Sequence, residues 1–477
     1  MEIPPRNVPK ALGSISRPLK AQMAVRLGCA TFLIAGVLST TGPAWAQSTV
    51  AGPSPFVRSS ASVGPTPTAW ATGHQNLTNN GAFLPSQVPW LGSGPWWMDR
   101  FPYKLSSDTP IVDGVIYLTS GDVHSAAGSH QGTVWAIAAN TGQILWQHQL
   151  PNEAFAEPVV QDHEVVVGVG NIQFRDLPGT HTLIRGTGVS GLWAFNATTG
   201  HPLWNDSTTG AAQPPPTMVG HTLYEVTGGR KLYVLNATTG QPLWTLALPS
   251  YVSRSSPRIV GHMLYVGGAD PYTVMAVNLN THKMAWIAPI PHAEEGVDDT
   301  TIAYAHGRLY TAAVTVPPGD SIANTVPDRQ AGLYALNATN GQAIWSTVLT
   351  TGRIPFLKAT GTPTVVNNTV YVGNALNGIV SAVNASTGHI LWQYNAQAPV
   401  KKPPVVTPKR LYFINLHGTV YCLSHQGHLL GHVALLQASN VRGPVLVNHT
   451  LFAVANTASR GYLFALPTTQ VVPSLPQ

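Results

Sequence analysis

The chain has 477 residues, of which only 9% are charged against the ~25% usual for soluble domains, and no basic stripe or recognition motif offers a nucleic-acid footprint. Its formal net charge of +6 owes much to the first 46 residues, which hold five of the 25 Lys+Arg and one of the 19 Asp+Glu, leaving 20 against 18. Thr, Asn, Gln, Ser and 18 His take the places that charges usually fill, a composition suited to an acidic milieu, where scarce Lys and Arg limit self-repulsion once His is protonated.

The N-terminus reads as a secretory signal. Arg6, Lys10, Arg17, Lys20 and Arg26 precede an apolar core from Leu27 to Leu38, and Ala44-Trp45-Ala46 forms a small-x-small cleavage site before Gln47. The apolar run is too short for a stable transmembrane anchor. Cys29 lies at the start of that core instead of at its end and follows Leu27-Gly28, with Arg26 where an aliphatic residue is wanted, so no acyl anchor is expected. The expectation is residues 1–46 removed, residues 47–477 as one domain, and a periplasmic or secreted protein, with outer-membrane association left open. Only Cys422 then remains, so an intramolecular disulfide is excluded.

Beyond the signal, one segment recurs. Asn196-Ala197-Thr198-Thr199-Gly200-His201-Pro202-Leu203-Trp204 has copies ending at Trp146, Trp244, Trp286, Trp345 and Trp392. Gly lies four residues before each Trp, except that His282 stands before Trp286. Such a copy reads strand, tight turn, strand, with Gly supplying the positive φ of a short turn. Apolar stretches led by Pro110, Pro158, Pro216, Pro257, Pro363, Pro404 and Pro444, with one near Thr301, bring the count to eight. Repeats of roughly 40 to 60 residues with strand content indicate propeller blades. The predicted fold is all-β: an eight-bladed β-propeller of four-stranded blades with tryptophan-docking repeats. The last blade lacks the Trp turn, so the ring is expected to be closed by an N-terminal strand, placed at about Ala69 to Phe83.

The repeat resembles that of the quinoprotein dehydrogenases and their relatives, over essentially the whole mature chain. Ala69-Trp70-Ala71-Thr72-Gly73-His74-Gln75-Asn76-Leu77 resembles the opening of those enzymes. Members that use pyrroloquinoline quinone hold it against a vicinal Cys-Cys disulfide beside a calcium ion. One Cys cannot form that clamp, and no segment matches the calcium and base positions, so neither cofactor nor metal is expected. His124 and His130 are spaced unconvincingly for a metal pair. As an exported, charge-poor, disulfide-free propeller, the chain is similar to the tetrathionate hydrolases of acidophilic sulfur oxidisers. That resemblance implies an exported hydrolase acting on a small dianion. A quinone-dependent or related dehydrogenase is the alternative, and a non-catalytic scaffold of envelope assembly the third.

In this fold, the loops entering the Pro-led strands face the central funnel, as do those joining second to third strands. Two residues before each Pro stand Asp108, Ala156, Pro214, Ser255, Gly361, Lys402 and Arg442, while blade five is led by Glu294-Glu295-Gly296-Val297-Asp298-Asp299. Arg254, Arg353, Lys358 and Lys401 share this loop set, so with Lys402 and Arg442 they form the expected substrate-binding cations. A carboxylate is the plausible base in acid, where neutral imidazole is scarce. Asp299 or Asp298 is the first candidate, and a one-residue slip decides which faces inward. Asp320 and Asp328, on the long loop Val314 to Gln330, are alternates. That loop and Gly168 to Gly188 are either lids or homodimer contacts.

Overall fold

The computed structural model describes residues 69–70, 97–121, 131–177, 179–317, 328–353 and 361–468, and these contain no α-helix. They form eight antiparallel sheets in chain order, each a propeller blade, plus one separate two-stranded hairpin. Blade three is the simplest: Thr217–Val219, Thr222–Thr227, Lys231–Asn236 and Pro242–Ala247 pair as a meander. Second and third strands are buried on both faces because neighbouring blades stack there, whereas outer strands such as Pro202–Ser207 alternate between half-buried and exposed.

The recurrent turn is what joins one blade to the next. Asn196 Oδ1 accepts the Thr198 and Thr199 amides at 3.0 and 2.9 Å, and Gly200 closes the turn at φ 69°. A Cβ on Gly200 would sit 2.6 Å from the Trp146 ring of the preceding blade, whose indole Nε1 donates to Ala197 O at 2.9 Å. Thus each Trp lies flat on the following blade's turn, and Gly is required because the ring occupies the space of a side chain. His282 breaks the pattern productively: at φ 56° its imidazole stacks on Trp244, with centroids 4.2 Å apart and planes 14° from parallel.

The expectation that Ala69 to Phe83 supplies the last blade's missing strand is corrected. Ala69–Trp70 pairs instead with Ile111–Val112 of blade one, and residues 71–83 lie outside the described residues. The strand beside Gly461–Pro467 is Trp97–Phe101, in register Trp97↔Ala465 to Phe101↔Gly461. It also brings the Trp that blade eight's own outer position lacks. Trp97 Nε1 donates to Ala139 O at 3.1 Å, and its ring packs at Gly142 of blade one, so it docks as the repeat Trp residues do. Phe101 is fully buried with its ring 5.4 Å from that of Trp135. Trp97→Ala is therefore expected to lower the free energy of unfolding by about 3 kcal/mol or more, read as a reduced urea midpoint. A midpoint equal to wild type would mean that this strand contributes little to holding blades eight and one together.

Candidate functional site

A cavity of about 310 Å³ opens on the propeller axis, and every one of the eight blades contributes its lead-in loop to the lining. Ser106, Glu157, Pro215, Arg254, Asp298, Thr362, Lys402 and Arg442 represent blades one to eight in order. The loop geometry that places Pro-led strands innermost thus brings together Arg254, Lys401, Lys402, Arg442, Asp298 and Asp299. Arg353 and Asp328 are exposed and are not among the lining residues. Lys358, Asp320, His124 and His130 lie outside the described residues.

Both acidic candidates face the cavity, in different ways. The turn Gly296–Thr300, tied by Asp299 N and Thr300 N donating to Gly296 O, presents Asp298 to the wall and Asp299 to the open space. Asp298 is buried; its carbonyl accepts the Arg254 and Ser255 amides at 2.8 Å, and Ser253 Oγ donates to its carboxyl. Burial, then the charge of Asp299, push the Asp298 carboxyl up to about 7. Asp299 is half-buried beside Lys401, whose amine is held down to about 8 by burial, with the attraction of Asp299 opposing.

A second acidic cluster lies in the wall. Lys402 Nζ is 2.9 Å from Asp108 Oδ2 and 3.3 Å from Glu157 Oε1, so its charge is used inside the protein. Burial is the largest influence on Asp108 and opposes its ionisation, but the Lys402 charge, hydrogen bonds with Glu157 and Lys402, and the Arg442 charge together hold it down to about 2; burial and the Asp108 charge push Glu157 up to about 7. Between those two values the pair shares one proton. Arg442 is similarly engaged: it donates to Ser106 O, to Asn440 Oδ1 and to Val441 O, while burial and then Arg254 lower it to about 10. Glu157 went unnoticed in the sequence because its role depends on Lys402, 245 residues away. Its only local mark is its place before Pro158 in a lead-in loop.

The quinone clamp of the fold's dehydrogenases has no fit here. Cys422 is buried in the strand Thr419–Leu423, away from the cavity lining, and burial pushes its thiol up to about 11. Among the described residues, no group of three His, Cys, Asp or Glu is placed to hold a metal ion.

Comparison with known proteins agrees with this architecture. The family model described as outer membrane protein assembly factor BamB, of the PQQ-repeat type, matches residues 92–213, 130–316, 190–426 and 302–470. A tetrathionate hydrolase of Acidithiobacillus ferrooxidans is 25% identical, covering 92% of this chain and 93% of its own. Another, from Acidianus ambivalens, is 31% identical over 75% of this chain and 71% of its own. Among solved structures, the quinohemoprotein alcohol dehydrogenase of Comamonas testosteroni superimposes with a TM-score of 0.58 at 11% identity, over 86% of this chain and 82% of that one, a likeness of fold alone. The chain belongs to the PQQ-repeat propeller family and, within it, to the group that contains these tetrathionate hydrolases.

Proposed function

We propose that this protein is an exported hydrolase of tetrathionate, with the axial cavity as its active site. The observation that carries the reading is the gathering of Arg254, Lys401 and Arg442 in one cavity with Asp298 and Asp299, in a chain with so few charges to place. Converging cations in a concave site favour a small dianion. The two relatives named tetrathionate hydrolase support the choice of that dianion.

In this mechanism Asp299 takes a proton from a water whose oxygen attacks a sulfane sulfur. The central sulfur–sulfur bond breaks, and thiosulfate leaves with its electron pair while Lys401 and Arg254 stabilise the developing charge. In the hydroxylated sulfane sulfonate left behind, the hydroxyl oxygen passes with its bonding pair from the sulfane sulfur to the sulfonate sulfur while the S–S pair stays with the sulfane sulfur, giving elemental sulfur and sulfate and releasing the second proton. Asp298 positions Asp299 and the Arg254 loop through its backbone carbonyl. Export ahead of Gln47 would place this chemistry outside the cytoplasm.

The test is incubation of the purified mature protein with tetrathionate in acid, without added cofactor, while thiosulfate and sulfate are followed. Stoichiometric appearance of both supports the hydrolase. Folded protein that forms neither would overturn it.

A further inference from the structure

Blade two carries an insertion between its second strand, Glu164–Val169, and its third, Gly191–Asn196. Within it, Phe174–Asp176 pairs with Leu183–Arg185 as a hairpin that reaches past blade three to the cavity, where Phe174 meets Tyr251 edge-on at 5.4 Å. The backbone at its end is pinned from outside the hairpin. Arg185 N donates to Gly228 O and Arg185 O accepts the Ala211 amide, both at 2.8 Å, and Arg230 Nε donates to Leu183 O at 2.9 Å.

The Arg185 side chain is treated differently from this clamped backbone. It makes no hydrogen bond or salt bridge to any described residue, and its Nε is buried without a partner. It lines the cavity, with its guanidinium carbon 5.7 Å from the Phe174 ring centroid. Burial lowers its basicity, with Asp299 opposing and Arg254 adding to the repulsion. Arg254 is placed alike, 5.5 Å over the Phe155 ring. Two guanidinium groups, each laid on an aromatic ring, therefore line one cavity with donor forks that no described residue accepts from. Holding such charges together is costly unless something outside the chain uses them, and forked donors match the oxygens of a sulfonate.

We propose that Arg185 is an anion-binding residue that holds one terminal sulfonate of the dianion, and that the inserted hairpin sets which anions the site accepts by delivering it. The assignment rests on reading the cavity as a polythionate site.

The test uses the full mature chain with Arg185→Met and Arg185→Lys, steady-state kinetics on tetrathionate, and urea unfolding. The expected result for Arg185→Met is a KM raised roughly 10- to 100-fold with kcat within about threefold of wild type. Arg185→Lys should recover part of the KM, and the unfolding midpoint of Arg185→Met should equal or exceed wild type because an unpaired charge is removed. A KM unchanged within about twofold in an active Arg185→Met enzyme would overturn the assignment. So would a KM rise accompanied by a lowered midpoint and no recovery in Arg185→Lys. Should wild type not hydrolyse tetrathionate, the hydrolase reading fails by itself, and calorimetric titration with tetrathionate decides the rest. Binding lost in Arg185→Met upholds the residue's role, while no binding to wild type overturns it as well.

Discussion

Asp299→Asn is expected to lower kcat on tetrathionate by roughly a thousandfold, the middle of the range for loss of a positioned general base, with the unfolding midpoint unchanged. The residue projects into open cavity space, makes its structural hydrogen bond through its backbone amide, and shares its surroundings with Lys401 and Arg185. Asn keeps the volume and removes the proton acceptor. Asp298→Asn should cost far less, on the order of tenfold, because that carboxyl is buried against Ser253 and already prefers its proton, and its carbonyl contacts survive the change. The comparison is made at saturating tetrathionate in acid, where kcat isolates the chemical step from substrate capture. Equal losses in the two variants would mean that the pair acts as one unit sharing a proton. A severe loss confined to Asp298→Asn would transfer the base to the buried member.

The architecture was legible because the repeat carries its own physics. A residue at positive φ, Gly in all copies but the one with His282, precedes each repeat Trp where the preceding blade's ring packs, so spacing alone exposes six of the blade junctions. Lead-in loops follow from strand order, which is why Arg254, Lys401, Arg442, Asp298 and Asp299 could be grouped before any coordinates. What escaped is whatever the repeat register does not index. Trp97 docks like its counterparts but is separated from blade eight's other strands by more than 300 residues, as its pairing with Ala465 shows. Arg185 sits in an inserted hairpin that has no counterpart among the described residues of the other blades, so no alignment of repeats points to it. Lys402 reads as a free cation until its contacts with Asp108 and Glu157, from two other blades, are seen.

Those buried carboxyls also fix the direction of pH dependence: the fold should be more stable near pH 4 than near pH 7. Glu157 and Asp298 are each raised to about 7 in the folded protein, mainly by burial, while their ordinary values are 4.5 and 3.8. Between about pH 4 and 7 the unfolded chain gives up protons that the folded chain keeps, so the folded state binds more protons and stability falls as pH rises. Glu225, fully buried with both carboxyl oxygens lacking a hydrogen-bond partner and raised well above its ordinary value, acts in the same sense. Asp108 opposes them at the acid end, where its stabilising pair with Lys402 is lost as pH drops from its unfolded value of 3.8 through about 2. His148, lowered from its ordinary 6.5 mainly by burial, opposes them toward neutrality as one group against three. Lys401 stays protonated on both sides of folding throughout this window, because its lowered value of about 8 lies above it. At about 1.4 kcal/mol per pKa unit, the raised carboxyls together are worth several kcal/mol. Urea midpoints at pH 4 and pH 7 measure the difference, and Glu157→Gln with Asp298→Asn should flatten it by replacing both titrating groups with neutral ones. A midpoint that instead rises toward neutrality would mean that these carboxyls are ionised in the fold, and that Lys402 and Ser253 stabilise charge there rather than a retained proton.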